Sequence, residues 1–403
     1  MKKRKLFNDL VSFMPQKELA IVTGARQTGK STLLRQLEQY CIQKGSPTLF
    51  LNLENKAILS ELDISPLNIL RYLPDTSERV IVLIDEVQYL ADPTNFLKLV
   101  YDEHASRVKI IASGSSAFYL DKKFKDSMAG RKRIFQLPTC SFEEYLEIGR
   151  KSTVLDEIRR LARDPQAKSI RLENLWLEWE QYITYGGYPA VITENNTKDK
   201  ILRLREIRDS FVKRDLLESG VSNEIAFFQL FKVLANQTGN LVNTNELSTL
   251  LRIKNETVKN YLSVLQKCFH ITLIRPFYSN LRKELVKMPK VYLMDNGMRN
   301  CLLDDFKSLN ERTDRGDLWE NAFLRILVER FDTDFIRFWR TTGGNEVDFI
   351  VLGASQEQAF EVKYNYAQIR ARKYDLFKKS YPQIPLKFVC MEPFAESFFS
   401  NIM

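Results

Sequence analysis

The chain has 403 residues, 44% hydrophobic and 28% charged, with a formal net charge of +9. That length suits about two to four ordinary cores and, without a low-complexity tract, excludes a disordered scaffold. No run of about 18 apolar residues is present to cross a bilayer, and the opening MKKRK is followed by the charged LFNDLVSFMPQKE rather than an apolar leader.

The five cysteines (Cys41, Cys140, Cys268, Cys301, Cys390) form no C-x-x-C pair, which argues against a disulfide framework or a zinc site. His104 and His270 are the two histidines, too few for a histidine metal centre or a serine-histidine hydrolase. A cytoplasmic location with no membrane partner is expected. The basic residues are spread over Lys122–Lys125, Arg131–Arg133, Arg203–Arg208, Arg282–Lys290 and Arg370–Lys379. This pattern suits a nucleic acid crossing several modules, and solvated helix faces would also produce it.

In chain order, the apolar run Glu18–Thr23 predicts a strand and Leu33–Tyr40 a helix. Between them stands Gly24-Ala25-Arg26-Gln27-Thr28-Gly29-Lys30-Ser31-Thr32, a phosphate loop at a strand-to-helix junction. Its backbone N–H groups would converge on the α and β phosphates, with Gly24 and Gly29 permitting close approach. Lys30 would neutralise the β/γ oxygens and Ser31 would ligate Mg²⁺. A strand at Pro47–Leu53 follows, then Val80–Ile84, a β-branched run ending in Asp85-Glu86. Asp85 is expected in the Mg²⁺ shell and Glu86 as the general base that polarises the attacking water. Val108–Ala112 predicts another strand, ending in Ser113-Gly114-Ser115-Ser116; Ser113 and Ser115 would stand beside the γ-phosphate if this strand neighbours the one carrying Asp85. Before a short strand at Arg133–Leu137 lies Met128-Ala129-Gly130-Arg131. In ring-forming ATPases an arginine there enters the neighbouring subunit's site; Arg131 is the first candidate and Arg133 the second, against a solvated basic turn.

Residues 1 to 150 resemble an AAA+ type ATPase core: GARQTGKST as Walker A, VIVLIDE as Walker B, ASGSS as the sensor strand end, and AGR before a strand. With IDEVQ, SFEEYL, YGGYP and KVYLMDNGM, nearly the whole chain is similar to a group of bacterial and archaeal ATPases with a winged helix and a C-terminal nuclease-like domain. The resemblance implies ATP and Mg²⁺ as cofactors, DNA as a partner, and a homo-oligomeric ring, a hexamer. The expected fold is α/β: a P-loop AAA+ core with a parallel sheet (1–150), a helical lid (151–235), a winged helix-turn-helix (236–300) and a PD-(D/E)xK-like αβββαβ domain (301–403).

In the lid, Leu172, Leu175, Trp176 and Trp179 recur at helical spacing, the tryptophans reading as core rather than as a base-stacking platform. Arg203, Arg205, Lys213 and Arg214 are equal candidates for sensing the γ-phosphate. From Asn243 the pattern becomes two short helices and a hairpin. Asn243 or Thr244 would cap the first helix and Asn255 the second, whose Val258, Leu262, Leu265 and Phe269 make one apolar face. Asn255, Thr257, Lys259 and Asn260 would face DNA, with Arg282, Lys283 and Lys287 on the wing, and the contacts would be mostly to backbone. A protein-docking winged helix is the other reading.

The last hundred residues predict a helix at Asp317–Phe331, strands near Phe335–Arg340, Glu346–Leu352 and Gln358–Lys363, a helix near Ala367–Lys379 and a strand near Leu386–Cys390. This αβββαβ order is similar to the PD-(D/E)xK nuclease-like fold, with Val347 where the eponymous proline stands. Glu320, Asp348 and Glu361 would hold Mg²⁺ and Lys363 would orient the attacking water. The competing reading is a domain that grips DNA without cutting it. The function expected is a Mg²⁺-dependent ATPase acting on DNA by remodelling, translocation or unwinding; the alternative is a nucleotide-controlled switch with an inactive nuclease-like domain.

Overall fold

A computed structural model describes the chain except residues 1, 115–127, 165–167, 220, 222, 279–283, 285–286, 354–355 and 393–403; for 213–219 and 392 it describes backbone alone. Ser115, the Lys122–Lys125 cluster, Arg282 and Lys283 therefore lie outside the described residues, as do the side chains of Lys213 and Arg214. The chain divides into two units: Met1–Thr139 with Lys213–Gly220 and Lys267–Phe269, and the remainder. Among the described residues no helix is long and apolar enough to cross a membrane.

The first unit is a five-stranded, wholly parallel sheet in the order β2-β3-β4-β1-β5. Its strands are β1 (Leu19–Thr23), β2 (Thr48–Asn52), β3 (Val80–Asp85), β4 (Val108–Gly114) and β5 (Lys132–Gln136). The continuous apolar sequences of β1, β3 and β4 follow from their central places, since a strand covered on both faces has no polar side. β5, at an edge, carries exposed Arg133 and Ile134. Helices α1 (Leu6–Phe13), α2 (Lys30–Gln43), α3 (Lys56–Ile64) and α4 (Pro93–His104) supply the cover, with Phe7, Leu10, Leu33, Leu34 and Leu37 on one face and Phe96, Leu97 and Val100 on the other. Because β4 lies between β1 and β3, the chain's turns at the carboxyl ends of these three strands are neighbours, the position at which open α/β sheets bind ligands.

The second unit holds a six-stranded mixed sheet in the order β11-β10-β9-β8-β6-β7. The hairpin expected as a wing, β6 (Ile271–Pro276) and β7 (Lys290–Leu293), is part of it: β6 pairs parallel with β8 (Ile336–Arg340). β9 (Glu346–Val351), β10 (Gln358–Asn365) and β11 (Leu386–Glu392) complete the sheet. The expected boundary at residue 300 thus falls within a set of strands that share one sheet. The helix Arg315–Leu327 precedes β8, and two 3-10 turns followed by a short helix, Asp375–Ser380, replace the single helix expected near Ala367–Lys379.

The helices Ser152–Arg163 and Leu172–Tyr185 bury Leu155, Ile158, Leu175 and Trp179 in the same core as Trp319, Phe323 and Phe349. Trp179 meets Trp319 edge-on at 6.0 Å, so it is core, as its spacing indicates. Asn243 caps the helix Thr244–Leu251 by accepting from the Asn245 and Glu246 amides. Asn255 does otherwise: its side chain donates to Thr244 Oγ1 and Asn245 Oδ1 and ties the helix Asn255–Lys267 to its predecessor. Val258, Leu262 and Leu265 are buried as expected, whereas Phe269 follows the helix at φ 61°.

Candidate functional site

The loop Gly24–Thr32 runs from the end of β1 into α2. Gly29 is the residue before α2 at φ 96°, a left-handed conformation glycine adopts without cost. Gly24 has a second reason beyond phosphate approach: a Cβ there would stand 2.2 Å from the Leu137 carbonyl oxygen. Thr28 Oγ1 donates to the Ala25 carbonyl at 2.9 Å, and Gln27 is left-handed at φ 61°. Buried Lys30 donates from Nζ to the carbonyls of Gly24 and Ala25, each at 2.8 Å. Ser31 is exposed, Arg26 and Thr32 half-buried. The loop is clamped by a residue that spacing did not reveal. Arg4, buried before α1, donates to the Thr28 carbonyl at 2.6 Å and to the Pro138 carbonyl at 2.8 Å.

Asp85 ends β3, buried, and accepts from Ser113 Oγ of the adjacent β4; the same Oγ accepts from the Glu86 amide at 3.1 Å. Ser113 is thus in contact with both acidic positions, the placement its strand order requires. Glu86 is held at φ 58°, a backbone conformation costing a non-glycine residue on the order of 1 kcal/mol, and its carboxylate accepts from Gln88 Nε2. Strain of this kind persists where neighbours over-determine it. The donor set of Lys30, Ser31 and buried Asp85 at adjoining turns has the chemistry that a magnesium nucleotide needs.

Arg131 follows a different pattern from a free finger. Its Nε donates to Asp102 Oδ1 at 2.7 Å within the same chain, and this pairing raises the guanidinium pKa further while lowering that of Asp102. Arg133 is exposed, its guanidinium over the rings of Phe13 and Phe135. Arg203 pairs with Glu194 and Glu206, and Arg205 with Asp304.

In the second unit the structure does bring Glu320, Asp348, Glu361 and Lys363 together. Asp348 Oδ2 accepts from the Val362 amide at 2.8 Å and lies 3.3 Å from Lys363 Nζ, which is 2.6 Å from Glu361 Oε1. Tyr374 OH donates to Glu361 Oε1 at 2.8 Å, and Tyr292 OH to Glu320 Oε1 at 2.6 Å. Burial first, then the neighbouring Asp348 charge, pushes the carboxyls of Glu320 and Glu361 well above the usual carboxylate range.

The arrangement adds Lys290, which the sequence reading had counted only as part of a basic run. Its Nζ lies 2.5 Å from Glu346 Oε1, 3.3 Å from Glu320 Oε1 and 3.9 Å from Asp348 Oδ1, with 3% of the side chain exposed. Burial alone would lower its pKa; the three carboxylates outweigh that and hold it protonated. The Mg²⁺ that the αβββαβ likeness implies does not fit these residues. The point to which the carboxylates converge is taken by an ammonium, and among the described residues no three or more His, Cys, Asp or Glu side chains are placed to hold a metal. Lys290, Tyr292, Glu346 and Tyr374 were missed because only tertiary convergence identifies them.

Residues 16–146 match the family described as "AAA domain". The first unit carries an AAA domain. Residues 177–309 and 315–393 match two domains of unknown function, DUF8612 and DUF4143. An uncharacterized protein of Mycobacterium tuberculosis is 25% identical over 348 residues, 86% of this chain and 70% of the relative. Another, from Haemophilus influenzae, is 25% identical over 374 residues, 88% of this chain and 86% of its own. Among solved structures, domain III of the Thermotoga maritima replication initiation protein DnaA is similar at TM-score 0.30 and 18% identity, covering 50% of this chain and 90% of that one. C. elegans PCH-2 is similar at TM-score 0.34 and 17% identity, covering 64% and 68%. Likenesses at these TM-scores say nothing of what this chain binds.

Proposed function

We propose that the first unit binds and hydrolyses ATP with Mg²⁺ and that the chain uses this turnover to act on DNA. The observation that carries the ATP reading is the shared Ser113 hydroxyl, bonded to the carboxylate of Asp85 and to the amide of Glu86 at the mouth of the Gly24–Thr32 loop. Lys30 would exchange its loop carbonyls for the β and γ phosphate oxygens, and Ser31 and Asp85 would hold the Mg²⁺ shell. The bound ion would neutralise charge that develops on the transferring phosphoryl group. Glu86, aimed by its left-handed backbone and by Gln88, would take the proton of the attacking water. Ser113 would keep the two carboxylates in register. Arg131 would act across a ring interface only after leaving Asp102, so its exchange between the two partners is a natural point of control.

Support for DNA comes from the helix Asn255–Lys267, which buries one face and exposes Lys259 and Asn260, with Lys254 exposed just before it and Lys287 near the hairpin. Such a face would hold the phosphate backbone without reading sequence. The C-terminal strands are assigned to gripping rather than cutting, because the Lys290 ammonium stands among the carboxylates of Glu320, Glu346 and Asp348.

The test is ATP turnover by the full chain in Mg²⁺, alone and with single-stranded, duplex or forked DNA, each tube also assayed for DNA cleavage. Stimulation by one DNA form without cleavage is expected. Turnover indifferent to every DNA form would favour the nucleotide-controlled switch, and no turnover at all would refute the ATPase assignment.

A further inference from the structure

Lys290 opens β7 at the edge of the six-stranded sheet, yet its side chain is directed inward, 3% exposed, to a point reached by carboxylates from two other elements. Glu320 comes from the helix Arg315–Leu327, and Glu346 and Asp348 from the first and third positions of β9, which share a face by the two-residue period of a strand. Their oxygens lie 2.5, 3.3 and 3.9 Å from one nitrogen. On the other side of Asp348, Lys363 repeats the arrangement with Glu361. Asp348 is therefore shared between two ammonium groups, buried Lys290 facing Oδ1 and half-buried Lys363 facing Oδ2. Tyr292, Tyr374, Arg340 and the Val362 amide supply further donors to Glu320, Glu361, Glu346 and Asp348 respectively.

Mg²⁺ requires oxygens at about 2.1 Å in octahedral geometry and loses its waters reluctantly. An ammonium asks less: its hydrogen bonds tolerate the longer, uneven distances seen here, and its charge already offsets the repulsion among buried carboxylates. A divalent ion at the same point would stand against the buried Lys290 charge.

We propose that Lys290 is the resident cation of this cluster, its ammonium standing where a divalent metal would be shared by Glu320, Glu346 and Asp348, so that the native chain takes no metal there and loss of Lys290 opens a divalent metal site. Removing the lysine leaves three carboxylates that, spaced around an ammonium, are not placed to hold a metal in the native chain; without it they would draw in around a hard cation that takes oxygen ligands. The inference rests on the nuclease-like likeness expected from the sequence of the C-terminal strands only for the choice of a divalent metal as the competing cation.

The test is Mn²⁺ binding to the nucleotide-free full chain, read by electron paramagnetic resonance and equilibrium dialysis at neutral pH. Wild type, Asp348→Asn, Lys290→Met, Lys290→Arg and Lys290→Met/Asp348→Asn are compared, the Asp348 variants subtracting any Mn²⁺ held elsewhere. Expected is no Asp348-dependent binding in wild type or Lys290→Arg, and in Lys290→Met a new site at least ~10-fold tighter that the second substitution abolishes. Mn²⁺ binding by wild type that Asp348→Asn abolishes would overturn the proposal, and that comparison stands if Lys290→Met does not fold. Lys290→Gln repeats the opening with a polar side chain; a folded Lys290→Met or Lys290→Gln that gains no Mn²⁺ would overturn it as well. ATP turnover in the same samples is a separate reading, so failure of the ATPase assignment and failure of this inference are distinguishable.

Discussion

Asp295 is the residue whose loss should most directly expose what holds the second unit together. It precedes the helix Asn296–Leu303, is 5% exposed, and accepts through Oδ1 from the Met298 amide at 3.0 Å and through Oδ2 from the Gly187 amide at 2.8 Å. The same carboxylate explains Gly186, at φ +76°, where a Cβ would fall 2.1 Å from Oδ1. Asp295→Ala would remove a helix cap, about 1 kcal/mol, and leave the Gly187 N–H buried without this acceptor, about 1–3 kcal/mol. The sum, about 2–4 kcal/mol, corresponds to a fall of about 5–15 °C in Tm for a unit of this size. Asp295→Asn keeps an oxygen for one of the two amides and should lose about half as much. Calorimetry of the full chain should show two transitions; the one that rises with added ATP belongs to the first unit. The other should fall in Asp295→Ala while ATP affinity stays within twofold of wild type. A shift below about 1 °C in that second transition would refute the capping account.

Four further outcomes check the sites. Lys30→Ala should abolish nucleotide binding measured by fluorescent-ATP titration, whereas Glu86→Gln should keep binding and lower turnover by about 10²–10⁴; equal loss of binding in both would remove Glu86 from its role. Arg131→Ala mixed with Lys30→Ala should regain part of the ATPase rate if Arg131 acts across an interface, and no rescue would leave its bond to Asp102 as its function. Asp348→Asn should leave ATP hydrolysis within about twofold of wild type in steady-state assays, and collapse of turnover would tie that cluster to the first site. His270, buried against Phe211 and Phe231, has its pKa lowered by burial to about 3. The unfolded chain therefore binds the extra proton below about pH 6.5, so this contribution is complete above that pH and lost as pH falls toward 3, about 2 kcal/mol between pH 7.5 and 5. Denaturant melts of His270→Leu should lack that share of acid sensitivity.

The first site was legible because its chemistry is local. Gly24–Thr32 is one contiguous string, and Asp85, Glu86 and Ser113 lie at ends of apolar runs that declare buried parallel strands. Strand order alone was open, and β4 between β1 and β3 settles it. Arg4 escaped notice since its partners, Thr28 and Pro138, are distant in sequence and use backbone carbonyls, which leave no residue signature. The motif strings outside the phosphate loop and the Asp85-Glu86 turn have mixed physical causes. SFEEYL contains a capping box, with Ser141 and Glu144 bonded reciprocally. YGGYP and DNGM interlock: Cβ atoms at Gly187 and Gly297 would fall 2.3 Å from the Cys140 carbonyl oxygen and 2.1 Å from that of Tyr185. The hairpin read as a wing shows the limit of local pattern, because its pairing with β8 joins residues some sixty positions apart, which no periodicity records.

The two carboxylate clusters show why residue type and spacing alone read both as metal sites while geometry separates them. Asp85 and Glu86 accept from the neutral groups of Ser113 and Gln88. Exchanging such a bond for one to water or to a bound ion's shell costs on the order of 1 kcal/mol, so the proposed ATPase reading asks little of these carboxylates when a nucleotide arrives or leaves. Glu320, Glu346 and Asp348 are paired with a buried ammonium, and breaking a buried ion pair costs about 3–5 kcal/mol because a charge is left uncompensated. A metal arriving from solution would have to meet that cost and displace Lys290 as well. The first arrangement is built for exchange and the second for permanence, and the same acidic residues take their roles from the donor that faces them.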